Sequence, residues 1–368
     1  MTYVANPTDG TRPIDSDDAS GGAAELRALK AYLQTLISGG TPITGYAYQA
    51  FRNKLINGNF DIWDYGITSQ PAAVQTQFVA NRWFESSSGT TIAPSQQTFA
   101  LGQTDVPFEP TFYHRAVVAS VAGVNNYAKL QQCIERVRTF AGQTLTLSFW
   151  AKADAAKNMA IEFVQYFGTG GSPSGTVRSI GAQLIALTTA WKFYAVQIAI
   201  PSIAGKTLGT AGNDSLQLNL WWEAGSTLNA NTANLGQQSG TFDISGIQAE
   251  PGGSATPFEL RPLQVEKSLC QRFYWQTNQT SGAAVGSQGV FSSNITNGQN
   301  YFASVRFPTT MRAAPSIAVN PAFVSGFATV VSVNADTDAT ILQGTATGTA
   351  SGFYFATVKA DAELPRIA

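Results

Sequence analysis

Leu216-Gln217-Leu218-Asn219-Leu220-Trp221-Trp222 alternates apolar and polar side chains with a period of two, the mark of a strand with one face against a core. Leu216, Leu218, Leu220 and Trp222 share that face. Trp221 then points the other way, beside Asn219 and Gln217. Leu145-Thr146-Leu147-Ser148-Phe149-Trp150-Ala151 repeats the arrangement with Leu145, Leu147, Phe149 and Ala151 inward. Further short runs follow at Ala116–Val121, Ala160–Phe167, Phe193–Ile200 and Phe242–Ala249, broken by turn residues. Many short strands of this kind, without long helical periodicity, predict an antiparallel β-sandwich over 54–262.

Toward the N-terminus, residues 1–24 combine Pro7, Pro13, Gly10, Gly21 and Gly22 with Asp9, Asp15, Asp17 and Asp18. This is loop chemistry without apolar mass for a core, so an extended arm that orders against a partner is expected. A short coiled-coil-like helix and linker occupy 25–53. Leu26, Leu29, Leu33 and Leu36 place a seam along Glu25–Ile37, and Ser38-Gly39-Gly40 stops it. Two heptads are marginal alone, so the stripe needs a partner. It either joins other copies, a homotrimer being favoured, or packs on the chain's own sandwich.

Toward the C-terminus, Leu263, Glu266, Leu269, Cys270, Phe273 and Tyr274 fit one helical face behind Pro262, which predicts a connecting helix over 263–277. Alternating runs return at Tyr301–Phe307, Ser316–Val319, Ala328–Val333, Thr340–Thr347 and Phe353–Lys359. A second, smaller β domain over 278–368 is expected. The fold class is therefore mainly β, with a short N-terminal arm and helix.

Composition narrows the function. Only 12% of the 368 residues are charged, against roughly 25% in ordinary soluble proteins. Lys plus Arg is 22 and Asp plus Glu 23, a net charge of −1, so the basic footprint of a nucleic-acid binder is missing. No apolar run approaches a membrane span, and Met1–Pro7 does not read as a signal peptide. The single His114 excludes chemistry needing two imidazoles from one chain. Cys133 and Cys270 stand far apart in sequence; they are either buried free thiols or one long-range disulfide. A neutral, polar, aromatic-rich surface without an export signal suits a virus particle assembled in the host cytoplasm and released by lysis.

Lys54-Leu55-Ile56-Asn57-Gly58-Asn59-Phe60-Asp61-Ile62-Trp63 and Ala80-Asn81-Arg82-Trp83-Phe84 resemble the opening of a jelly-roll domain found in tailed-phage fibre proteins. Phe242-Asp243-Ile244-Ser245-Gly246-Ile247-Gln248-Ala249-Glu250 with Ala255-Thr256-Pro257-Phe258-Glu259 resembles its closing strand, and Leu269-Cys270-Gln271-Arg272-Phe273-Tyr274-Trp275 the segment that often follows. The opening and closing also resemble carbohydrate-binding sandwich modules, and residues 1–24 with the leucine helix resemble virion-anchoring fibre ends. The resemblance covers most of 1–275. It implies a tail fibre on the virion, attached through residues 1–24 to other tail or baseplate proteins and binding a host surface glycan by multivalency. The alternatives are a purely structural collar, baseplate or linking component, and a polysaccharide depolymerase or its accessory module.

Sugar recognition needs flat aromatic faces beside amides and hydroxyls. Trp221, Asn219 and Gln217, on the outward side of their strand, form the candidate carbohydrate platform; the other reading puts Trp221 under a loop or subunit. Trp63 and Trp83 read as core fillers, and Trp191 as closing a turn into Phe193–Ile200. The resemblance implies either a structural Ca²⁺ near Asp61, Asp243 and Glu250, or plain solvated and capping carboxylates there. Glycoside cleavage needs two facing acids. Asp154 with Glu162, and Asp336 with Asp338, are the nearest pairs; the latter reads as a hairpin turn, and no catalytic role is expected.

Overall fold

Alternation becomes two antiparallel sheets. The computed structural model describes residues 50–65, 68–277, 288–292 and 294–367. The expected arm over 1–24 and the seam of Leu26, Leu29, Leu33 and Leu36 lie outside the described residues. The first eleven strands are β1 (Thr76–Phe78), β2 (Phe84–Ser88), β3 (Thr91–Thr98), β4 (Phe112–Ala119), β5 (Tyr127–Glu135), β6 (Thr144–Ala153), β7 (Lys157–Tyr166), β8 (Val177–Leu187), β9 (Lys192–Ala199), β10 (Ser215–Ala224) and β11 (Gly240–Pro251). One sheet has the order β1-β2-β5-β10-β7-β8, the other β3-β4-β11-β6-β9. Strands pair as nested hairpins, β7 with β8, β6 with β9, β5 with β10 and β4 with β11. Successive pairs fall in alternate sheets, which is the winding of a jelly roll.

The core lies between the sheets. Leu216, Leu218, Leu220 and Trp222 of β10 meet Leu145, Leu147, Phe149 and Ala151 of β6 there, as the alternation requires. Each leucine or phenylalanine among them contributes about 1.5–3 kcal/mol by leaving water. His114 lies inside this core, stacked on Phe60 at 5.6 Å with its Nε2 3.2 Å from a Glu85 oxygen. Trp83 is fully buried and Trp63 packs at the margin.

The opening segment is held by side chains that imitate backbone. Asn57 Nδ2 donates to the carbonyls of Ile62 and Asn81, and its Oδ1 accepts from Ile62 N–H. Asn53 Oδ1 accepts from the N–H groups of Leu55 and Ala249. Gly58 admits the closing strand, because a Cβ there would sit 2.1 Å from the Ile247 carbonyl oxygen.

Two short helices follow: α1 (Asn229–Thr232), after a 3-10 turn at Ser226–Leu228, and α2 (Leu263–Gln271). The expected connecting helix ends earlier than 277. Residues Tyr274–Gln276 form β12 instead, because their backbone finds partners in Lys359–Asp361.

The remaining strands are β13 (Gln288–Ser292), β14 (Asn300–Arg306), β15 (Ser316–Ser325), β16 (Phe327–Ala335), β17 (Ala339–Ala346) and β18 (Gly352–Asp361). β12, β13 and β15 flank β18, and β14-β17-β16 forms a second sheet. Val305, Phe327, Leu342, Tyr354 and Val358 fill the space between. Arg52–Ala368 form one unit. Residues 362–367 run back over the six-stranded sheet. Leu364 is buried with Cys133 and Phe273. Arg366 stacks on Phe84 at 4.0 Å, and Glu363 pairs with the buried Arg82. Both cysteines are free and buried.

Candidate functional site

The expected platform on β10 is closed to solvent. Gln217, Asn219 and Trp221 are all buried. Gln217 Nε2 donates to the Ile367 carbonyl at 3.0 Å, and Ile367 N–H donates back to Gln217 Oε1 at 2.8 Å. Asn219 Nδ2 and Trp221 Nε1 donate to Glu162 at 2.9 and 3.2 Å, and Leu228 and Leu235 pack over the Trp221 cluster. Lys129 Nζ sits 4.5 Å above the Trp221 ring, and burial lowers its pKa to about 8. The covers come from residues 226–235 and 362–367, so this face does not meet a soluble ligand.

The three acids proposed around Ca²⁺ are spent separately. Asp243 receives the Arg115 guanidinium through two oxygens, at 2.7 and 2.8 Å. Glu250 accepts from Thr256 N–H and Oγ1 at 2.8 and 2.6 Å, and lies 3.3 Å from Arg52. Asp61 accepts from Asn59, with burial raising its pKa. Among the described residues no cluster of three His, Cys, Asp or Glu could hold a metal. Two of the acids already carry arginine partners and the third bonds to Asn59, so Asp61, Asp243 and Glu250 do not converge on the expected Ca²⁺.

The acid pairs are likewise engaged locally. Asp336 Oδ1 accepts from the N–H groups of Asp338 and Ala339 in the β16–β17 turn. Glu162 is buried, whereas Asp154 lies half exposed, 3.8 Å from Lys157.

The outer face of the five-stranded sheet is different. It carries a groove of about 500 Å³. Ser148 and Trp150 of β6, Phe193 of β9 and Gly246 of β11 make its floor, while Phe108 and the segment 255–260 make its walls. Alternation puts Trp150 outward, and the β6–β9 register sets it beside Phe193, ring centroids 5.5 Å apart. Phe108 stacks on Phe258 at 4.8 Å. Phe193 keeps 41% of its surface in solvent. Gly246 sits in a β-bulge at φ +61°, where a Cβ would lie 2.6 Å from the Phe108 ring. Glu250 and Gln248 position the wall: Gln248 Oε1 accepts from Glu259 N–H at 2.9 Å.

Two residues further along β6, an aromatic box adjoins the groove. Trp191 lies 5.1 Å from Phe99 and 5.2 Å from Tyr113. Lys152 Nζ stands 5.2 Å above Trp191 and 3.7 Å from Asp243. The hydrogen bonds that Arg115 donates to Asp243 raise its pKa, keeping it charged. Sequence reading did not single out Trp150, Phe193 or Lys152. The alternation that turned Trp221 outward applied equally to Trp150, but the Phe193 partnership needs the strand register.

No protein-family model matches the chain, and no curated protein does. Among solved structures, the enzymatically active domain of bacteriophage CBA120 tailspike protein 4 is similar at 15% identity and a TM-score of 0.32, over 55% of this chain and 22% of that one. This chain thus spans about a fifth of the tailspike structure. A structure described as CBM4 is similar at 17% identity and a TM-score of 0.30, over 53% of this chain and 98% of that one. The family 11 carbohydrate-binding module from Clostridium thermocellum, in complex with a β-1,3-1,4-mixed-linked tetrasaccharide, is similar at 11% identity and a TM-score of 0.29, over 52% and 99%.

Proposed function

We propose that this chain is a glycan-binding attachment protein of a tailed-phage fibre, and that the groove floored by Trp150 and Phe193 receives the sugar. The observation that carries the binding site is the pair of rings at 5.5 Å, Phe193 exposed and Trp150 half-buried, in a groove of about 500 Å³. A pyranose presents an apolar C–H face that stacks on such rings, and hydroxyls that meet polar groups at the rim. Each stacked ring contributes about 0.5–1.5 kcal/mol, so a single site is weak. A homotrimeric fibre, several to a particle, would raise avidity by about 10²–10⁴-fold. The fibre role rests on the resemblance of residues 1–275 described above.

The test is binding of the full chain to an array of bacterial surface polysaccharides. Wild type should bind at least one member, and Trp150→Ala should weaken it about tenfold with an unchanged melting temperature. Absence of binding by wild type, or full binding by both Trp150→Ala and Phe193→Ala, overturns the groove assignment. Sedimentation should give a trimer. A monomer that purified virions lack would remove the fibre role.

A further inference from the structure

We infer that the glycan is anionic, its carboxylate or phosphate lying against Lys152 and its neutral ring on Trp150. This rests on the glycan-binding reading of the groove and names the class of sugar it takes.

Across the outer face, Arg115, Asp243 and Lys152 lie in one row, since Asp243 is registered with Arg115 on one side and Lys152 on the other. Two cations face one carboxylate, leaving one positive charge in excess. Asp243 is committed to Arg115 by the two short bonds described above, and its own side chain is only 3% exposed. Lys152 is 3.7 Å from that carboxylate, beyond a hydrogen bond, and its side chain keeps 27% exposure. Its ammonium therefore has donors to spare. The next row outward is no counterweight, because Asp154 is 3.8 Å from Lys157.

Position matters as much as sign. Lys152 is two residues from Trp150 on β6, and Trp191, just before β9, is two residues from Phe193. Two residues of strand span about 7 Å, roughly the reach from a stacked sugar ring to a charged substituent on it or on its neighbour. The Trp191 ring under the ammonium walls it from bulk water on one side, which strengthens a charge-assisted bond. A wholly neutral glycan would leave this excess charge without use.

The experiment uses the same array, with uronate-bearing, phosphate-bearing and neutral bacterial polysaccharides, probed by wild type, Lys152→Gln and Trp150→Ala. Acidic members should dominate wild-type binding. Lys152→Gln should weaken them about tenfold and reduce the salt dependence. If the best-bound member is a uronate, its carboxyl-reduced form should bind wild type and Lys152→Gln alike; phosphate-bearing hits should lose the difference on dephosphorylation. Neutral members bound as tightly as acidic ones, or no effect of Lys152→Gln, overturns the inference while the groove stands if Trp150→Ala still weakens binding about tenfold. No binding by wild type to any member overturns both. Lys152→Gln leaves the Arg115–Asp243 pair intact, so folding is not at stake.

Discussion

Trp221 and Trp222 are chain neighbours that end on different buried carboxylates. Trp222 Nε1 donates to Glu85 at 2.9 Å inside the sandwich, and Trp221 Nε1 donates to Glu162 at 3.2 Å on the opposite side of the same sheet. One strand thus bonds both of its faces to acids, and β10 is buried along its whole length.

Glu162 gathers four donors: Ser179 N–H, Asn219 Nδ2, Trp221 Nε1 and Asn231 Nδ2. Glu162→Leu strands them together, so a loss of about 3 kcal/mol or more is expected in denaturant titration. Glu162→Gln, which keeps an acceptor, should lose less. Equal stability of Glu162→Leu and wild type would refute a structural role for this network.

Lys129 gives a pH signature. Unfolded, a lysine holds its proton to about 10.4; here burial lowers the value to about 8. Between those values the unfolded chain binds more protons, so this residue makes stability rise with pH. Below about 8 both states are protonated and its cost is constant, roughly 3 kcal/mol. Lys129→Met should therefore be more stable than wild type at pH 7, with the gap narrowing from pH 8 to 10. Gln217 still satisfies the Ile367 carbonyl in that variant. A pH-independent gap would contradict the assignment.

Gly246 sets the shape of the groove. Gly246→Ala places a methyl against Phe108 at positive φ, so a loss of about 1–2 kcal/mol and weaker glycan binding are expected together. Unchanged binding in a folded variant would show that the Phe108 wall is not needed.

Burial pushes both the Cys133 and the Cys270 thiol up. Ellman's reagent should leave both untouched in the native protein and titrate both after denaturation. Rapid labelling of either in the folded chain would show that its cover opens.

What could be read in advance depended on locality. The sides of Leu145–Ala151 and Leu216–Trp222 follow from neighbouring residues, because alternation is a local rule. Whether Gln217 and Asn219 face water or buried partners does not follow, since the same amides serve both, and their cover arrives from residues 226–235 and 362–367. Asp243 offered the same ambiguity: a carboxylate at a strand junction suits a cation of either kind, and only the β4–β11 register shows that the cation is Arg115. Asn57 was visible as part of a recurring opening, whereas Asn53 fell in the expected linker, and the hold of Asn53 on Ala249 required the closing strand to be in place.

The segment 362–367 that lies over the sandwich has a consequence for biosynthesis. The sheet containing Gln217 and Cys133 emerges from the ribosome well before Leu364 and Ile367 do, so a nascent chain carries that face naked until residues 362–367 have been made. A polypeptide that stops short of these residues would display a sticky, amide-rich surface to chaperones and to its own sisters.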